Sequence, residues 1–105
     1  MYAFKYQRAK SVADAAAVIA KNADAKLLAG GQSLVATMKL RLARPSDLVD
    51  LGAMAELRGI KVESGAVTIG AMTRHAEVAA SAEVKKAIPA LASLAASIGD
   101  RQVRN

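Results

Sequence analysis

The feature that most narrows the choice of fold is a change of apolar period near the amino terminus, from that of a strand to that of a helix and back. The run "AFKYQRA" alternates, with Phe4 and Tyr6 on one face, and reads as a short strand. Ser11 then opens a helix. With Asp14 it matches the capping pattern in which a hydroxyl and a carboxylate satisfy free backbone N–H groups. Val12, Ala15, Ala16, Ile19 and Ala20 make one apolar stripe along it. Lys21 complements the far end of the helix dipole and Asn22 can stop the helix. The next run, "AKLLAG", has the length of a buried strand parallel to the first, which gives a β-α-β unit.

Gly30 and Gly31 therefore fall at the carboxyl end of that second strand. Beyond them Leu34, Met38 and Leu42 recur at helical spacing as far as Arg44-Pro45, where proline forces its predecessor into an extended conformation. "DLVDL" reads as a third buried strand. In "GIKVESGAVTIG", Ile60 and Val62 alternate, Ser64-Gly65 suits a two-residue turn, and Val67 and Ile69 alternate back, which predicts a hairpin added antiparallel to the sheet. Thr73 and Ser81 are candidate helix caps. Pro89 suits the start of a last helix through Leu91, Leu94, Ala95 and Ile98, ended by Gly99. The fold class expected is α/β: a small three-stranded parallel sheet with flanking helices plus a β-hairpin.

Composition bounds the rest. A chain of 105 residues, 53% hydrophobic and 23% charged, suffices for one compact domain with a packed core. Tyr2, Phe4 and Tyr6 are its whole aromatic complement, so the core must use Ala, Leu, Val, Ile and Met. The absence of cysteine removes disulfides, thiol nucleophiles and protein-bound iron–sulfur clusters from this chain, and fits a cytoplasmic location. No apolar run reaches membrane-spanning length, and "MYAFKYQRAK" lacks the apolar core of a signal peptide. The net charge of +6 favours anionic company such as phosphates, nucleic acid or an acidic subunit.

The glycine pair is where such an anion could be met. At the end of a parallel strand, glycines permit positive φ and let a ligand approach unshielded main-chain N–H groups, while a helix starting just beyond adds its dipole. Ser33 could cap that helix or donate to a phosphate oxygen. The dipeptide alone favours an ordinary tight turn. Neither a phosphate-binding loop of the G-x-x-x-x-G-K-[ST] type nor the G-x-G-x-x-G fingerprint is present. His75, the lone histidine, has no evident acid or ligand partner and reads as a helix-surface residue. Asp47 and Asp50 flank a strand, as a carboxylate pair or as loop and cap residues. Lys39, Arg41 and Arg44, with Arg101 and Arg104, suit a solvated face, a subunit contact or a phosphate contact. Met38, Met54 and Met72 read as core filler.

The longer pattern is more specific. "LLAGGQSLVATMKLRLARPSDLVDL", followed by "VTIGAMTRHAEV" and "ASIGDRQVRN", closely resembles the amino-terminal part of the FAD-binding medium subunit of the molybdenum hydroxylases. That family includes aerobic carbon monoxide dehydrogenases and xanthine dehydrogenases, and its flavin fold is of the para-cresol methylhydroxylase type. The resemblance implies that Lys26, Leu27, Leu28, Ala29, Gly30, Gly31, Gln32, Ser33 and Leu34 wrap the FAD pyrophosphate, mainly through backbone N–H groups. It places Ile98 against the flavin cofactor. It also implies that residues 1–105 are an amino-terminal FAD-binding subdomain, with a second glycine-rich loop of the Thr-Ile-Gly-Gly-Asn type and an antiparallel subdomain expected beyond Asn105.

The function implied by the resemblance is electron transfer through FAD to an external acceptor. The molybdenum cofactor would lie in a large subunit and [2Fe-2S] clusters in a small one, both partners in a hetero-oligomer. No residue of this chain is then a catalytic group or a metal ligand; its residues bind and orient the cofactor. The alternative is a small basic α/β module that binds nucleic acid through its phosphates, although the few aromatics leave little for base stacking.

Overall fold

The computed structural model describes residues 1–105. They form two compact units, Met1–Ala55 and Glu56–Asn105. The first contains strands β1 (Lys5–Arg8), β2 (Lys26–Leu28) and β3 (Asp47–Asp50) with helices α1 (Val12–Lys21) and α2 (Leu34–Lys39). The second contains β4 (Ile60–Glu63), β5 (Ala66–Ile69), α3 (His75–Ala80), α4 (Ala82–Ala87), α5 (Pro89–Ala96) and α6 (Arg101–Arg104). A 3₁₀ turn, Ala55–Leu57, precedes β4. No helix is long and apolar enough to cross a membrane.

The parallel sheet has the order β1-β3-β2. β3 therefore lies between the two strands that the sequence suggests as neighbours, pairing Tyr6 with Leu48 on one side and Leu27 with Val49 on the other. Burial follows this order. Leu48 and Val49 are 3% and 0% exposed, whereas β2, expected to be buried, is an edge strand with Leu27 48% exposed. Only the central strand has neighbours on both sides.

The caps of α1 form as expected. The Asp14 N–H donates to Ser11 Oγ at 3.0 Å, and the Asp14 carboxylate accepts from the Lys10 N–H at 3.1 Å. The inward face differs from the predicted stripe: Ala15 is buried and Val18 and Ile19 half-buried, while Val12, Ala16 and Ala20 are exposed. The set Ser11, Ala15, Val18, Ile19 and Asn22 keeps helical spacing but lies round the helix from the expected one. Asn22 also does more than stop the helix. Its side-chain amide donates to Ser46 Oγ and Asp47 Oδ2, both at 2.7 Å, tying the end of α1 to the start of β3. Met38 and Met54 are buried in this unit, as core filler should be.

α2 stops at Lys39, well before Pro45. The Arg41 N–H donates to the Met38 carbonyl at 3.0 Å and the Leu42 N–H to the Thr37 carbonyl at 2.9 Å, with Arg41 left-handed at φ 59°. This pair of bonds is a Schellman motif, which satisfies the helix's last carbonyls and ends it. Leu42, predicted to continue the apolar face, is 76% exposed.

In the second unit the hairpin forms with the predicted register, Ile60 opposite Ile69 and Val62 opposite Val67. Ser64 and Gly65 take φ 49° and 77°, as a type I′ turn requires. The hairpin is a separate two-stranded sheet and adds no strand to the parallel one. Its inner residues Ile60, Val67 and Ile69 pack on a core of Val78, Val84, Ala92 and Ala95.

Ser81 caps α4, accepting from the Val84 N–H at 3.2 Å, and Pro89 opens α5. Thr73 is not a cap. Its hydroxyl accepts from the Gly59 N–H at 2.9 Å and sits 3.1 Å from the Gly59 carbonyl, so it joins the two ends of the hairpin, and Arg74 occupies the cap position of α3. α5 ends at Ala96, leaving Ile98 outside it. The polar ending is itself a short helix, with Asp100 Oδ1 accepting from the Gln102 N–H at 2.7 Å.

Gly70 follows β5 where the chain packs on the 3₁₀ turn. A Cβ there would overlap the Leu57 carbonyl oxygen and lie 2.9 Å from the Arg58 nitrogen, both backbone atoms that cannot rotate away. Gly70→Ala should therefore destabilise the protein by about 1–3 kcal/mol through overpacking, read as a lower thermal unfolding midpoint.

Candidate functional site

Nine of the ten predicted site residues, Lys26 to Leu34, form one continuous strand, loop and helix start in the first unit. β2 is pinned at its end by the Leu51 N–H, which donates to the Leu28 carbonyl at 3.0 Å. Ala29 and Gly30 then leave the sheet at its carboxyl edge, and Gly31 turns the chain with φ 83°. A Cβ at Gly31 would lie 2.9 Å from Val35 Cγ2 and 3.4 Å from Leu28 Cδ1, so this residue is held tightly between strand and helix. At Gly30 a Cβ would meet only the amide end of the Gln32 side chain.

The loop's backbone is the chemically informative part. The first helical hydrogen bond of α2 runs from the Val35 N–H to the Gly31 carbonyl at 3.0 Å. The N–H groups of Gly30, Gly31, Ser33 and Leu34 have no acceptor in the protein. Ser33 stands at the cap position without a capping bond, in a helical conformation, so its hydroxyl is also uncommitted. Four unpartnered donors at one turn, around a glycine with positive φ, are the kind of backbone donors that can bind an anion.

The same edge of the sheet carries Asp50, in register with Arg8 on one side and Leu28 on the other. Its carboxylate accepts from the Tyr6 hydroxyl and from the Gly52 N–H at 2.8 Å, and Arg8 Nε lies 3.5 Å away. The Tyr6 hydrogen bond, then the Gly52 N–H, and with them the Arg8 charge, hold Asp50 below its ordinary value of 3.8. The phenol of Tyr6 is raised above 10.0, chiefly by the same bond, and stays protonated. A carboxylate near an anion site would repel the ligand; this one is engaged by donors and a cation. Asp47 has the structural role already described, so the two aspartates do not act as a pair.

Ile98, the tenth predicted residue, belongs to the second unit. There it lines an apolar cavity of about 340 Å³ with Ile69, Gly70, His75, Leu91 and Leu94. Arg104 Nη1 donates to the Ile98 carbonyl at 2.7 Å and fixes that wall. His75 is exposed at the first turn of α3 and contributes to the cavity rim. Sequence reasoning misses the Tyr6–Asp50–Arg8 group, since the only signal is that Arg8 and Asp50 both end strands. It also misses the cavity, whose lining comes from several separate segments.

A parallel α/β unit with an unshielded glycine loop at the carboxyl edge of its sheet is the architecture of nucleotide-binding proteins. Comparison with known proteins narrows this. Residues 2–105 match the family described as FAD binding domain in molybdopterin dehydrogenase. The chain is 48% identical over 103 residues to the carbon monoxide dehydrogenase medium chain of Hydrogenophaga pseudoflava, covering 97% of this chain and 36% of that protein. It is 38% identical over 101 residues to a xanthine dehydrogenase FAD-binding subunit of Escherichia coli O157:H7, covering 95% and 35%. It also superposes, with a TM-score of 0.93 at 47% identity, on a solved carbon monoxide dehydrogenase of H. pseudoflava lacking the Mo-pyranopterin moiety of the molybdenum cofactor. That match covers 99% of this chain and 37% of the other. The chain belongs to this family of FAD-binding domains of molybdopterin dehydrogenases. It spans a little over a third of the length of the relatives it matches.

The state of Asp50 has a testable consequence. Because its value is lowered by folding, the stability it contributes is complete above pH 3.8 and is lost as pH falls through the lowered value. Tyr6→Phe removes the largest cause of that lowering. The midpoint of acid unfolding should move up in pH, and the difference in thermal midpoint between variant and native protein should narrow in strong acid.

Proposed function

We propose that this chain supplies the pyrophosphate-binding loop for FAD in the flavin subunit of a molybdenum hydroxylase. In that complex, electrons from iron–sulfur clusters of a small partner subunit, originating at a molybdenum-binding large subunit, leave by way of FAD for an external acceptor. The observation that carries the reading is the set of four unpartnered N–H groups at Gly30, Gly31, Ser33 and Leu34. Family membership makes FAD the natural anion.

Each predicted residue then has a task. Lys26, Leu27 and Leu28 anchor the loop to the sheet. Ala29, Gly30, Gly31 and Gln32 present main chain to the phosphates, Ser33 offers a hydroxyl, and Leu34 offers the first N–H of α2. Ile98 gives an apolar wall for the cofactor. Bound FAD would supply the redox chemistry, and the chain's own residues bind and orient it. The remaining phosphate contacts come, on this reading, from a second glycine-rich loop of the longer subunit.

The charge of +6 would also suit nucleic acid. However, Arg8 is engaged by Asp50, Arg104 by the Ile98 carbonyl, and Lys61 lies 3.8 Å from Glu63. Aromatic rings for base stacking are confined to residues 2–6. These features favour the flavin reading.

Gly31→Val in the full-length subunit tests it. Valine is disfavoured at φ 83° and its side chain would crowd Val35, closing the backbone to phosphate. The expected result is at least a tenfold loss of flavin per subunit by absorbance, in a protein whose circular dichroism shows it folded. Native flavin content in that folded variant would contradict the proposal.

A further inference from the structure

The glycine loop lies at the carboxyl edge of the parallel sheet, and a second unusual group lies at the amino edge. Because β3 runs parallel to β2, α2 must carry the chain back, so Arg41 and Arg44 precede the start of β3 as Tyr2 precedes the start of β1. These residues meet there. Arg41 Cζ is 5.6 Å and Arg44 Cζ 5.1 Å from the centroid of the Tyr2 ring. Neither guanidinium has a carboxylate partner. Two like charges on one ring repel, and each keeps N–H donors free to grip an anion. The position excludes them from the pyrophosphate loop, which is at the other end of α2.

Two further observations point to a protein as the anion's bearer. Leu40 and Leu42, on either side of Arg41, are 71% and 76% exposed, with Met1 and Tyr2 also open at 48% and 40%. Arg41 itself occupies a left-handed position that glycine fills at least cost. Local backbone preference thus opposes the residue found there. Arginine and tyrosine are residue types enriched in interface hot spots, and the exposed leucines beside them add apolar area that a partner could cover. Leucines beside the guanidinium groups suit a protein surface better than a phosphate backbone, and a net charge of +6 disfavours a second copy of this chain.

We propose that Tyr2, Leu40, Arg41, Leu42 and Arg44 form the docking surface for a carboxylate-bearing patch on a different subunit of the complex. This rests on the reading above that the chain works within a heteromeric assembly. The Arg41→Gly change removes one guanidinium while relieving the backbone, and Arg44→Glu reverses the second charge. In the full-length subunit, the double variant should bind the remaining subunits at least tenfold more weakly, with flavin content unchanged and a thermal midpoint as high as or higher than native. A photo-crosslinking amino acid placed at position 42 should join this subunit to a peptide of another chain that contains Asp or Glu. Unchanged affinity, or crosslinks confined to the subunit's own chain, would overturn the proposal. Flavin content reports on the glycine loop and association on the arginine patch, so the failure of one reading is distinguishable from the failure of the other.

Discussion

The first unit depends on the central strand. Leu48 and Val49 are buried because β3 has a strand on each side, and burial of such side chains contributes roughly 1.5–3 kcal/mol apiece. The same placement aligns the carboxyl ends of all three strands, at Arg8, Leu28 and Asp50. A loop leaving β2 must then begin at that edge, with its backbone turned away from the core. The unpartnered N–H groups of Gly30, Gly31, Ser33 and Leu34 therefore emerge at the edge that β3 defines, and Asn22 helps hold that strand in place through Ser46 and Asp47.

The two ends of this sheet carry opposite electrostatic arrangements. At the carboxyl edge the one carboxylate, Asp50, is neutralised by Arg8 and hydrogen-bonded by Tyr6 and Gly52, which leaves the glycine loop's donors unopposed. At the amino edge the arginines have no acidic partner and rest on an aromatic ring. A helix only six residues long separates the edges, so the two proposed anion contacts lie at opposite ends of one small unit.

Much of this was legible in the sequence, because the local signals agree with the fold. Ser11 and Ser81 cap helices, Pro89 opens one, and Ser64-Gly65 turns the hairpin. The glycine pair's position at a strand end also follows from local pattern. What local pattern could not carry was pairing. Nothing in "AKLLAG" says that β3 will come between it and β1, so an edge strand read as a buried one. Helix ends were also misread where a tertiary need prevailed: Arg41 takes the turn usually left to glycine, and Thr73 spends its hydroxyl on Gly59. The Asp50 group and the cavity beside Ile98 join residues distant in the chain, and no spacing rule finds them.

The central claim is that the backbone amides of residues 30–34 bind the cofactor's phosphates. Hydrogen–deuterium exchange of the full-length subunit, compared with flavin bound and with flavin removed, measures this directly. Slower exchange across Gly30–Leu34 in the loaded form, with the β3 amides unchanged between the two, is the expected result. Equal exchange at Gly30–Leu34 in the loaded and stripped forms would contradict it.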